Sequence, residues 1–461
     1  MSFNTRLTLM KKFRHVFLLL LLSLFVLSFC SVEAQVVYRL AQRLDVEPVW
    51  SGHPVGCALL TAGDWQFLAY YDAERNLTVA RRQLSETAWT FKRLPTKIGW
   101  DSHNYVTMAV DEEQYLHVSG NMHCVPLIYF RSGKPLDIES LQQVPAMVGS
   151  FEERCTYPVF LTGPNKEFIF NYRDGGSGNG NTLWNVYDAK TKQWSRLFDK
   201  PMFDGEGLMN AYHHGPVVGP DGYYHLCWMW RDTPDCATNH DFSYARSKDL
   251  RHWENSKGEP VTLPLTLKTG EIIDPAQPGE GLFNPHQRIG FDLQNRLILS
   301  YTKYDEGGIN QVYNVRWEKG EWKYYQATQW SYRWAFSGGG SVGSEISFGA
   351  VEIQGDRLVQ SYSHREQERS GRWFLDEKTL KPTERAPQPT VFPREVGAIE
   401  LDFPGIQARS EWDKADAGKP HQKSEVRFIM RWESQGANRD RPHLQTPPPT
   451  MLRVLKLESA P

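Results

Sequence analysis

The chain has 461 residues and a formal net charge of −2 at pH 7. This balance excludes a protein that binds nucleic acid through a broadly basic surface, because such proteins carry a clear excess of Lys and Arg. Aromatic residues make up 13% of the chain, which also holds 36 Gly and 28 Pro. That composition favours many short strands joined by turns.

The first 34 residues predict a secretory signal peptide. Basic residues precede an apolar run over residues 16–29, and Val32 and Ala34 place small side chains at the −3 and −1 positions of a cleavage site. The run is short for a membrane span of roughly 20 residues, although a retained membrane anchor is the alternative. We therefore expect cleavage near Ala34, secretion to the extracellular space or periplasm, and no membrane insertion afterwards.

Five cysteines follow the expected cleavage site: Cys57, Cys124, Cys155, Cys227 and Cys236. Their number is odd, so at least one thiol is free, bridged to another chain or bound to a metal. Five cysteines in more than 400 residues do not make a disulfide scaffold. The stability of the fold has to come from packing.

Residues 35–461 predict a single all-β domain. Alternating runs separated by polar turns recur along the chain, among them FLAYYDA, EFIFNYRD, YYHLCWMW and RLILSYTKY. A weak repeat leads from a strand through a polar turn to a Trp, and it ends at Trp89, Trp194, Trp253, Trp322 and Trp373. Repeated hairpin units of this kind are typical of β-propeller blades. A two-sheet sandwich is the alternative, but it needs fewer strands.

The length of the domain favours seven blades with long loops. Seven blades give about 61 residues each, more than the roughly 40 to 50 of common blades. Residues 407–449 are polar and rich in Pro, so we expect a long loop there before a last strand, MLRVLKLE.

The stretch DSHNYVTMAVDEEQYLHVSGNMHC predicts one β-hairpin with a histidine at each open end. If Val110 lies opposite Tyr115, then His103 and His123 fall on different faces. A bulge at Gly120 or a five-residue turn shifts the register by one, and the two histidines then face each other with Cβ atoms roughly 5 Å apart. Two unrelated histidines remain the third interpretation.

A tyrosine and an arginine extend this candidate site. Tyr157 lies in CTYPVF, and Arg173 follows sixteen residues later in NYRDGGSGNGN. We expect the Gly-rich stretch to form a loop, because it offers no side chains to a core. An Arg at a strand end before such a loop is well placed to bind an anion, and an ion pair with Asp174 is the alternative.

With these motifs the chain resembles the ulvan lyases built on seven-bladed propellers, within a larger group of neuraminidase-like repeat proteins. The resemblance covers most of the domain and is carried by SHNY, LHVSGNMH, TYPVF, YRDGGSGNGN and WRDTPDCATNHDFSYARSKDLRHWE. It implies an active site of His103, His123, Tyr157 and Arg173. It also implies a secreted, monomeric lyase that cleaves an anionic, uronic-acid polysaccharide such as ulvan by β-elimination.

β-Elimination requires three tasks that these residues can divide. The planar guanidinium of Arg173 can pair with both oxygens of the uronate carboxylate and stabilise the charge that develops when the C5 proton leaves. Tyr157 beside that guanidinium is expected to have a lowered pKa and to act as base, with His103 sharing acid and base work. His123 and Asn104 are expected to help bind the substrate.

A separate group of residues predicts a structural zinc site. His225 and Cys227 lie two residues apart on one strand face, and His240 follows thirteen residues later. The resemblance implies a structural Zn²⁺ held by such a His-x-Cys pair and a later His, although Ser177 stands where a further His is expected. The alternative is a core Cys with ordinary loop histidines. Candidates for a fourth ligand are Cys236, His213 and His214. No organic cofactor is expected.

Two other functions fit a propeller of this composition. A sialidase-type hydrolase needs an arginine triad, a Tyr with a Glu partner, and several S-x-D-x-G-x-x-W boxes, whereas SKDLRHW lacks the Gly. A non-catalytic glycan-binding propeller could use the 16 Trp and 20 Tyr for stacking, but we expect most of these to pack between blades.

Overall fold

A computed structural model describes residues 35–366, 370–416 and 425–460; the predicted signal peptide lies outside the described residues. Seven separate sheets of four or five strands follow one another along the chain, and their strand pairs are antiparallel except for one parallel pair at the edge of the last sheet. The predicted all-β, seven-bladed propeller is therefore confirmed. Within the described ranges, no helix is long and apolar enough to cross a membrane.

The first four blades follow one another in chain order. The N-terminal strand is β1 (Val36–Val49). Blade 1 consists of β2 (Ala58–Ala62), β3 (Trp65–Tyr71), β4 (Asn76–Gln83) and β5 (Thr90–Lys97). Next along the chain come β6 (Val106–Val110), β7 (Leu116–Gly120), β8 (His123–Val125), β9 (Tyr129–Ser132) and β10 (Leu141–Gln143), and all except β8 form blade 2. Blade 3 combines β8 with β11 (Cys155–Thr162), β12 (Phe168–Gly176), β13 (Asn179–Asp188) and β14 (Gln193–Arg196). Blade 4 contains β15 (Asn210–Val218), β16 (Tyr224–Arg231), β17 (Asn239–Ser247), β18 (Trp253–Glu254) and β19 (Glu271–Asp274).

Blades 5 and 6 use the same antiparallel order. Blade 5 contains β20 (Gln287–Phe291), β21 (Leu297–Tyr304), β22 (Asn310–Glu318) and β23 (Glu321–Gln326). Blade 6 contains β24 (Ile346–Gln354), β25 (Arg357–His364), β26 (Ser370–Leu375) and β27 (Pro382–Arg385). The last strands are β28 (Thr390–Val391), β29 (Ile406–Trp412), β30 (Val426–Gln435) and β31 (Thr450–Ser459). Short 3₁₀ helices occur at Ile138–Ser140, Cys236–Thr238, Arg394–Val396 and Lys414–Asp416.

Blade 7 closes the ring with strands from both ends of the described chain. Its order is β28-β1-β31-β30-β29, and β1 pairs antiparallel with β31 from Tyr38 opposite Ser459 to Val49 opposite Thr450. Closing the ring in this way protects an edge that would otherwise offer free backbone groups.

The first strands of the blades surround the central axis and thereby position the loops. β2 contacts β6 and β29, β6 contacts β11, and β15 contacts β20, which in turn contacts β24. Because equivalent strands run in one direction, the segments that lead into them meet at one end of the ring. We call this end the mouth; it contains residues 98–105, 197–209, 275–286, 327–345 and the β30–β31 connection, residues 436–449.

The core lies between the faces of neighbouring blades. Trp184, Trp228 and Trp230, for example, are fully buried in one cluster between blades 3 and 4. Three copies of the Trp repeat correspond to the turn between the third and fourth strands, and they place their Trp in β14, β18 and β23. The copy ending at Trp89 is longer because it starts at the end of β3 and includes all of β4, whereas the copy ending at Trp373 begins in β25 and ends in β26.

Two loop predictions are wrong. The Gly-rich stretch after Arg173 continues the β12–β13 ladder as far as Gly176 opposite Asn179, because paired backbones need no side chains for their hydrogen bonds. Residues 407–449 include β29 and β30, so only the β30–β31 connection is a long loop. Polar side chains of β30 are mostly buried and hydrogen-bonded within the blade, as Arg431 is to Glu433 at 2.8 Å.

Candidate active site

The hairpin between β6 and β7 has the register with a five-residue turn. Val106 lies opposite Gly120 and Val110 opposite Leu116, without a bulge. Gly120 therefore does not form the bulge that was one of the predicted alternatives. A Cβ at Gly120 would lie 2.8 Å from the carbonyl oxygen of Tyr105 and from the Cα of Val106, so glycine permits the close approach of the chain beside His103.

His103 and His123 come together without being paired in one ladder. His123 begins β8, which leaves blade 2 and pairs with β11 of blade 3, opposite Thr156. The two imidazole centroids are nevertheless only 4.5 Å apart. The Nδ1 atom of His103 lies 2.7 Å from one carboxylate oxygen of Asp101, and Nδ1 of His123 contacts the other oxygen. One carboxylate thus orients both rings.

His103 is a cation at neutral pH. Burial of its ring opposes protonation, but hydrogen bonds to Asp101 and Asp440 outweigh burial and raise the pKa of His103 to about 9. The Asp440 carboxylate lies 3.2 Å from the same Nδ1 atom. In this state His103 can donate a proton or a charged hydrogen bond, and it cannot serve as a base.

Arg173 and Tyr157 lie side by side in blade 3. A register shift between Thr156 and Val159 and a φ of 59° at Tyr157 lift this residue out of the regular strand. The Arg173 guanidinium carbon lies 5.0 Å from the centroid of the Tyr157 ring. The four residues implied by the resemblance are thus gathered in one place, because the His103 and Tyr157 rings are 6.0 Å apart.

Arg173 is buried without a carboxylate partner among the described residues. Its guanidinium donates to Thr156 Oγ1 at 3.3 Å and contacts the Cys124 sulfur at 3.6 Å. Only 4% of the residue is exposed. The alternative ion pair with Asp174 is not formed; that carboxylate accepts a hydrogen bond from the backbone of Arg154 instead. A buried, uncompensated guanidinium favours an incoming anion.

Tyr212 and Arg231 complete this positive centre, and sequence analysis missed both. The Tyr212 hydroxyl lies 3.3 Å from Arg173 Nη1, 3.0 Å from Arg231 Nη1 and 2.8 Å from the Ser177 hydroxyl. A signal for Arg231 was available. It stands in Trp-Arg-Asp at the end of β16, as Arg173 stands in Tyr-Arg-Asp near the end of β12, the equivalent second strand of the preceding blade.

The two tyrosines differ in acidity in the opposite sense to the prediction. Burial, reinforced by the neighbouring Tyr212, raises the pKa of Tyr157 despite the nearby arginines. Burial also opposes ionisation of Tyr212, but the charges of Arg231 and Arg173 outweigh it and lower the pKa of Tyr212. The predicted low pKa of Tyr157 is therefore wrong, and Tyr212 is the more acidic phenol of the pair.

Two neighbouring cavities lie on either side of these side chains. A cavity of about 280 Å³ is lined by both histidines together with Tyr157, Tyr212 and Arg231. A second cavity of about 500 Å³ lies against Arg173 and extends to His213 and His214. His103, Tyr157 and Tyr212 line both. Together the cavities offer room for several atoms of a flexible anionic ligand on each side of the tyrosine pair.

Asn104 is not placed to bind a ligand in either cavity. Its backbone carbonyl accepts a hydrogen bond of 2.5 Å from the Tyr71 hydroxyl, and its side-chain Oδ1 is buried without a partner. The side chain is absent from the walls of both cavities. The prediction that Asn104 binds substrate is therefore not supported by its position.

The residues predicted to bind zinc do not form one site. His240 pairs with Trp230 and His225 pairs with Arg246, so the two histidines lie near opposite ends of the β16–β17 ladder, about 16 Å apart along the strand. The ring nitrogens of His225 contact Tyr244 and Asp221. A single zinc ion needs its ligands within roughly 2.3 Å, so the register of the hairpin overturns this assignment.

The surroundings of His240 and Cys227, the other two predicted zinc ligands, also do not form a metal site. Both ring nitrogens of His240 contact carboxylates, those of Asp241 and Asp232. Cys227 is fully buried. Within the described ranges, the trio with ligand-type atoms within 4.8 Å of one another is Asp101, His103 and His123. In that trio the Nδ1 atoms of His103 and His123 are hydrogen-bonded to the carboxylate of Asp101.

Fold and site together define a seven-bladed propeller with a buried, cationic, tyrosine-containing cleft at its mouth. The chain belongs to the BNR repeat-containing family, whose model matches residues 65–330. These residues begin with β3 of blade 1 and end beyond blade 5, so the match contains Arg173, Arg231 and both site histidines.

Characterised relatives match part of the chain. It is 28% identical over 171 residues to the short isoform of an ulvan lyase from Alteromonas sp. (strain LOR), in a match covering 32% of this chain and 31% of that protein. It is 31% identical over 177 residues to the long isoform of an ulvan lyase from Pseudoalteromonas sp. (strain PLSV), covering 35% and 17%. The match thus spans about a third or less of these relatives' lengths.

Solved structures share the fold over nearly the whole chain. The crystal structure of polysaccharide lyase Uly1 superposes with a TM-score of 0.59 at 13% identity, covering 91% of this chain and 99% of that one. A PL25 ulvan lyase bound to -[GlcA(1-4)Rha3S]- gives a TM-score of 0.55 at 12% identity, covering 86% and 97%. The predicted resemblance to propeller ulvan lyases is confirmed at the level of the fold.

Proposed function

We propose that the protein is a secreted polysaccharide lyase that cleaves a uronic-acid polysaccharide, of the ulvan type, by β-elimination. One observation carries the proposal: two buried guanidiniums, Arg173 and Arg231, converge on the Tyr212 hydroxyl without a carboxylate partner among the described residues. A uronate carboxylate supplies the missing negative charge. The ulvan lyases among the sequence matches and the similar folds support the choice of substrate class.

The elimination can be divided among these groups. Arg173 and Arg231 pair with the carboxylate on C5 and stabilise the enolate-like charge that develops on it. Tyr212, whose pKa the same arginines lower, acts as the base that removes the adjacent C5 proton. The electron pair of the C5–H bond forms the C4–C5 double bond, and the C4–O4 bond breaks. The leaving O4 then takes a proton from Tyr157 or from the cationic His103.

The arrangement disfavours a sialidase mechanism. That mechanism needs a Tyr nucleophile activated by a Glu partner. The Tyr212 hydroxyl contacts two arginines and Ser177, and no carboxylate contacts the hydroxyl of Tyr157 or of Tyr212 within the part of the chain that the structure describes. Among the described residues, two guanidiniums instead of three line these cavities, those of Arg231 and Arg173. A glycan-binding propeller, in turn, does not need two phenols with separated pKa values.

The test is a panel of uronate polysaccharides, including ulvan, incubated with the purified protein. A lyase produces an unsaturated uronyl end that absorbs in the near ultraviolet, whereas a hydrolase produces reducing ends without this absorbance. Arg173→Lys keeps the charge but loses the two-pronged hydrogen bonding, so turnover should fall steeply. Arg251→Lys, at an exposed turn, is the matched control and should leave turnover unchanged. No absorbance with any uronate polymer would contradict the proposal.

A further inference from the structure

A carboxylate from blade 7, the last blade along the chain, reaches the candidate acid. Asp440 lies in the β30–β31 connection of blade 7, and His103 lies between blades 1 and 2. Oδ2 of Asp440 is 3.2 Å from His103 Nδ1, and Oδ1 accepts hydrogen bonds from both the backbone N–H and the hydroxyl of Ser102 at 3.3 Å. Only 15% of the Asp440 side chain is exposed.

The same carboxylate also fixes a glycine-rich segment of the mouth, residues 337–342. Ser341 donates its hydroxyl to Asp440 Oδ1 at 2.7 Å and its backbone N–H to Oδ2 at 3.1 Å. The Ser341 hydroxyl further contacts that of Ser102. Next to Asp440, the Arg439 guanidinium donates to the Ser337 carbonyl at 2.8 Å. Gly339 to Val342 line the smaller cavity, so Asp440 joins this wall to His103.

Both residues of the Arg439–Asp440 pair have a left-handed backbone. Their φ values are 52° and 59°, a conformation that costs roughly 1 kcal/mol or more for a residue other than glycine. The surrounding contacts have to hold it in place. This backbone directs the Asp440 carboxylate toward Ser102, His103 and Ser341 at once.

We propose that Asp440 is a positioning residue: it holds the His103 ring by Nδ1, keeps it charged for proton donation to the leaving group, and attaches residues 337–342 to it. This inference rests on the proposed lyase activity for the role of His103. The contacts of Asp440 themselves are independent of that activity.

The charged and titratable groups around His103 show what Asp440 contributes to the pKa of that ring. Asp101 binds the same Nδ1 atom from the preceding loop, His123 contacts the ring in a tilted arrangement from β8, and Tyr157 faces it from β11. Asp440 is the facing group from blade 7. Because an opposite charge at this distance shifts a pKa by about 1–3, removal of Asp440 should leave His103 with Asp101 as its only carboxylate partner among these groups.

The experiment compares wild type with Asp440→Asn. Nuclear magnetic resonance titration of the His103 ring in the free protein should show its midpoint lowered by about 1–3 pH units in the variant. With ulvan as substrate, the ratio of variant to wild-type kcat should approach one toward low pH and fall steeply toward high pH. A general packing defect would instead lower kcat at every pH. Asp440→Glu should restore part of the pH range.

The control is Asp356→Asn, which removes a carboxylate from the β24–β25 turn, about 25 Å from the mouth along the strands. It should change neither the titration nor the pH profile. An unchanged His103 midpoint in folded Asp440→Asn would overturn the inference. A lowered midpoint in a protein without any lyase activity would support the role of Asp440 toward His103 and overturn the proposed function, so the two failures are distinguishable.

Discussion

Tyr157 and Tyr212 carry the same phenol, with ring centroids 6.2 Å apart, yet their surroundings separate their acidities. Tyr212 contacts two guanidiniums directly, whereas the Tyr157 hydroxyl has no hydrogen-bond partner among the described residues. A pair of groups with separated pKa values is the arrangement that general acid–base chemistry uses. The less acidic phenol keeps its proton to donate, and the more acidic one accepts.

This difference gives a prediction for two conservative changes. Tyr212→Phe and Tyr157→Phe should each reduce elimination by about 10²–10⁴-fold, because each removes one proton-transfer group. Phenolate absorbance recorded as pH rises should lose its earliest step in Tyr212→Phe and keep it in Tyr157→Phe. Tyr325→Phe, whose hydroxyl contacts Glu318 on the outer part of blade 5, is the control. Retention of the earliest step in Tyr212→Phe would show that another tyrosine ionises first.

The raised pKa of His103 links the site to stability. The folded-state pKa of about 9 exceeds the ordinary value of 6.5, so this residue stabilises the fold fully below pH 6.5, and the contribution disappears as pH rises through 9. Its size is on the order of 3 kcal/mol. Urea unfolding of wild type and His103→Gln at pH 6 and pH 10 should show a difference that shrinks at the higher pH. An equal difference at both values would contradict the assigned charge.

At the scale of single elements, the β6–β7 hairpin has to leave room for the loop that holds His103. The missing Cβ of Gly120 is what allows the Tyr105 carbonyl and the Val106 backbone to approach. Gly120→Ala should therefore destabilise the fold by about 1–3 kcal/mol through overpacking against backbone, and it should also reduce activity by displacing His103. Gly99→Ala is the matched control, because a Cβ there meets no atom within 4 Å. Thermal unfolding checks the prediction; equal melting temperatures for the two variants would refute it.

At the scale of the whole molecule, one strand closes the ring. Leu44 of β1 is buried in the cluster that joins blades 7 and 1, whereas Arg39 on the same strand is exposed. Leu44→Ala should lower the free energy of unfolding by about 2–5 kcal/mol. Arg39→Ala should change it by less than about 0.5 kcal/mol. Chemical denaturation of both variants tests whether ring closure contributes to global stability.

Several features could be predicted because they depend on local pattern. Alternation of apolar residues and the Trp-ended turns indicate blade hairpins, since those periods are set by strand geometry. The resemblance identified His103, His123, Tyr157 and Arg173 as a group. Arg231 could also have been predicted, because it stands in the same aromatic-Arg-Asp motif as Arg173. The zinc set failed because the β16–β17 register pairs His225 with Arg246 and His240 with Trp230, which separates the two histidines by five positions along the ladder.

The sequence by itself determined the fold class, the approximate number of blades and the four residues that meet at the mouth. Only the tertiary structure decided how those residues are charged. The pKa of a side chain depends on burial and on charges that arrive from other blades, such as Arg173 beside Tyr212 and Asp440 beside His103. Asp440 is 338 residues from Ser102 along the chain, and no local pattern connects them. Closure of the ring brings them within hydrogen-bonding distance.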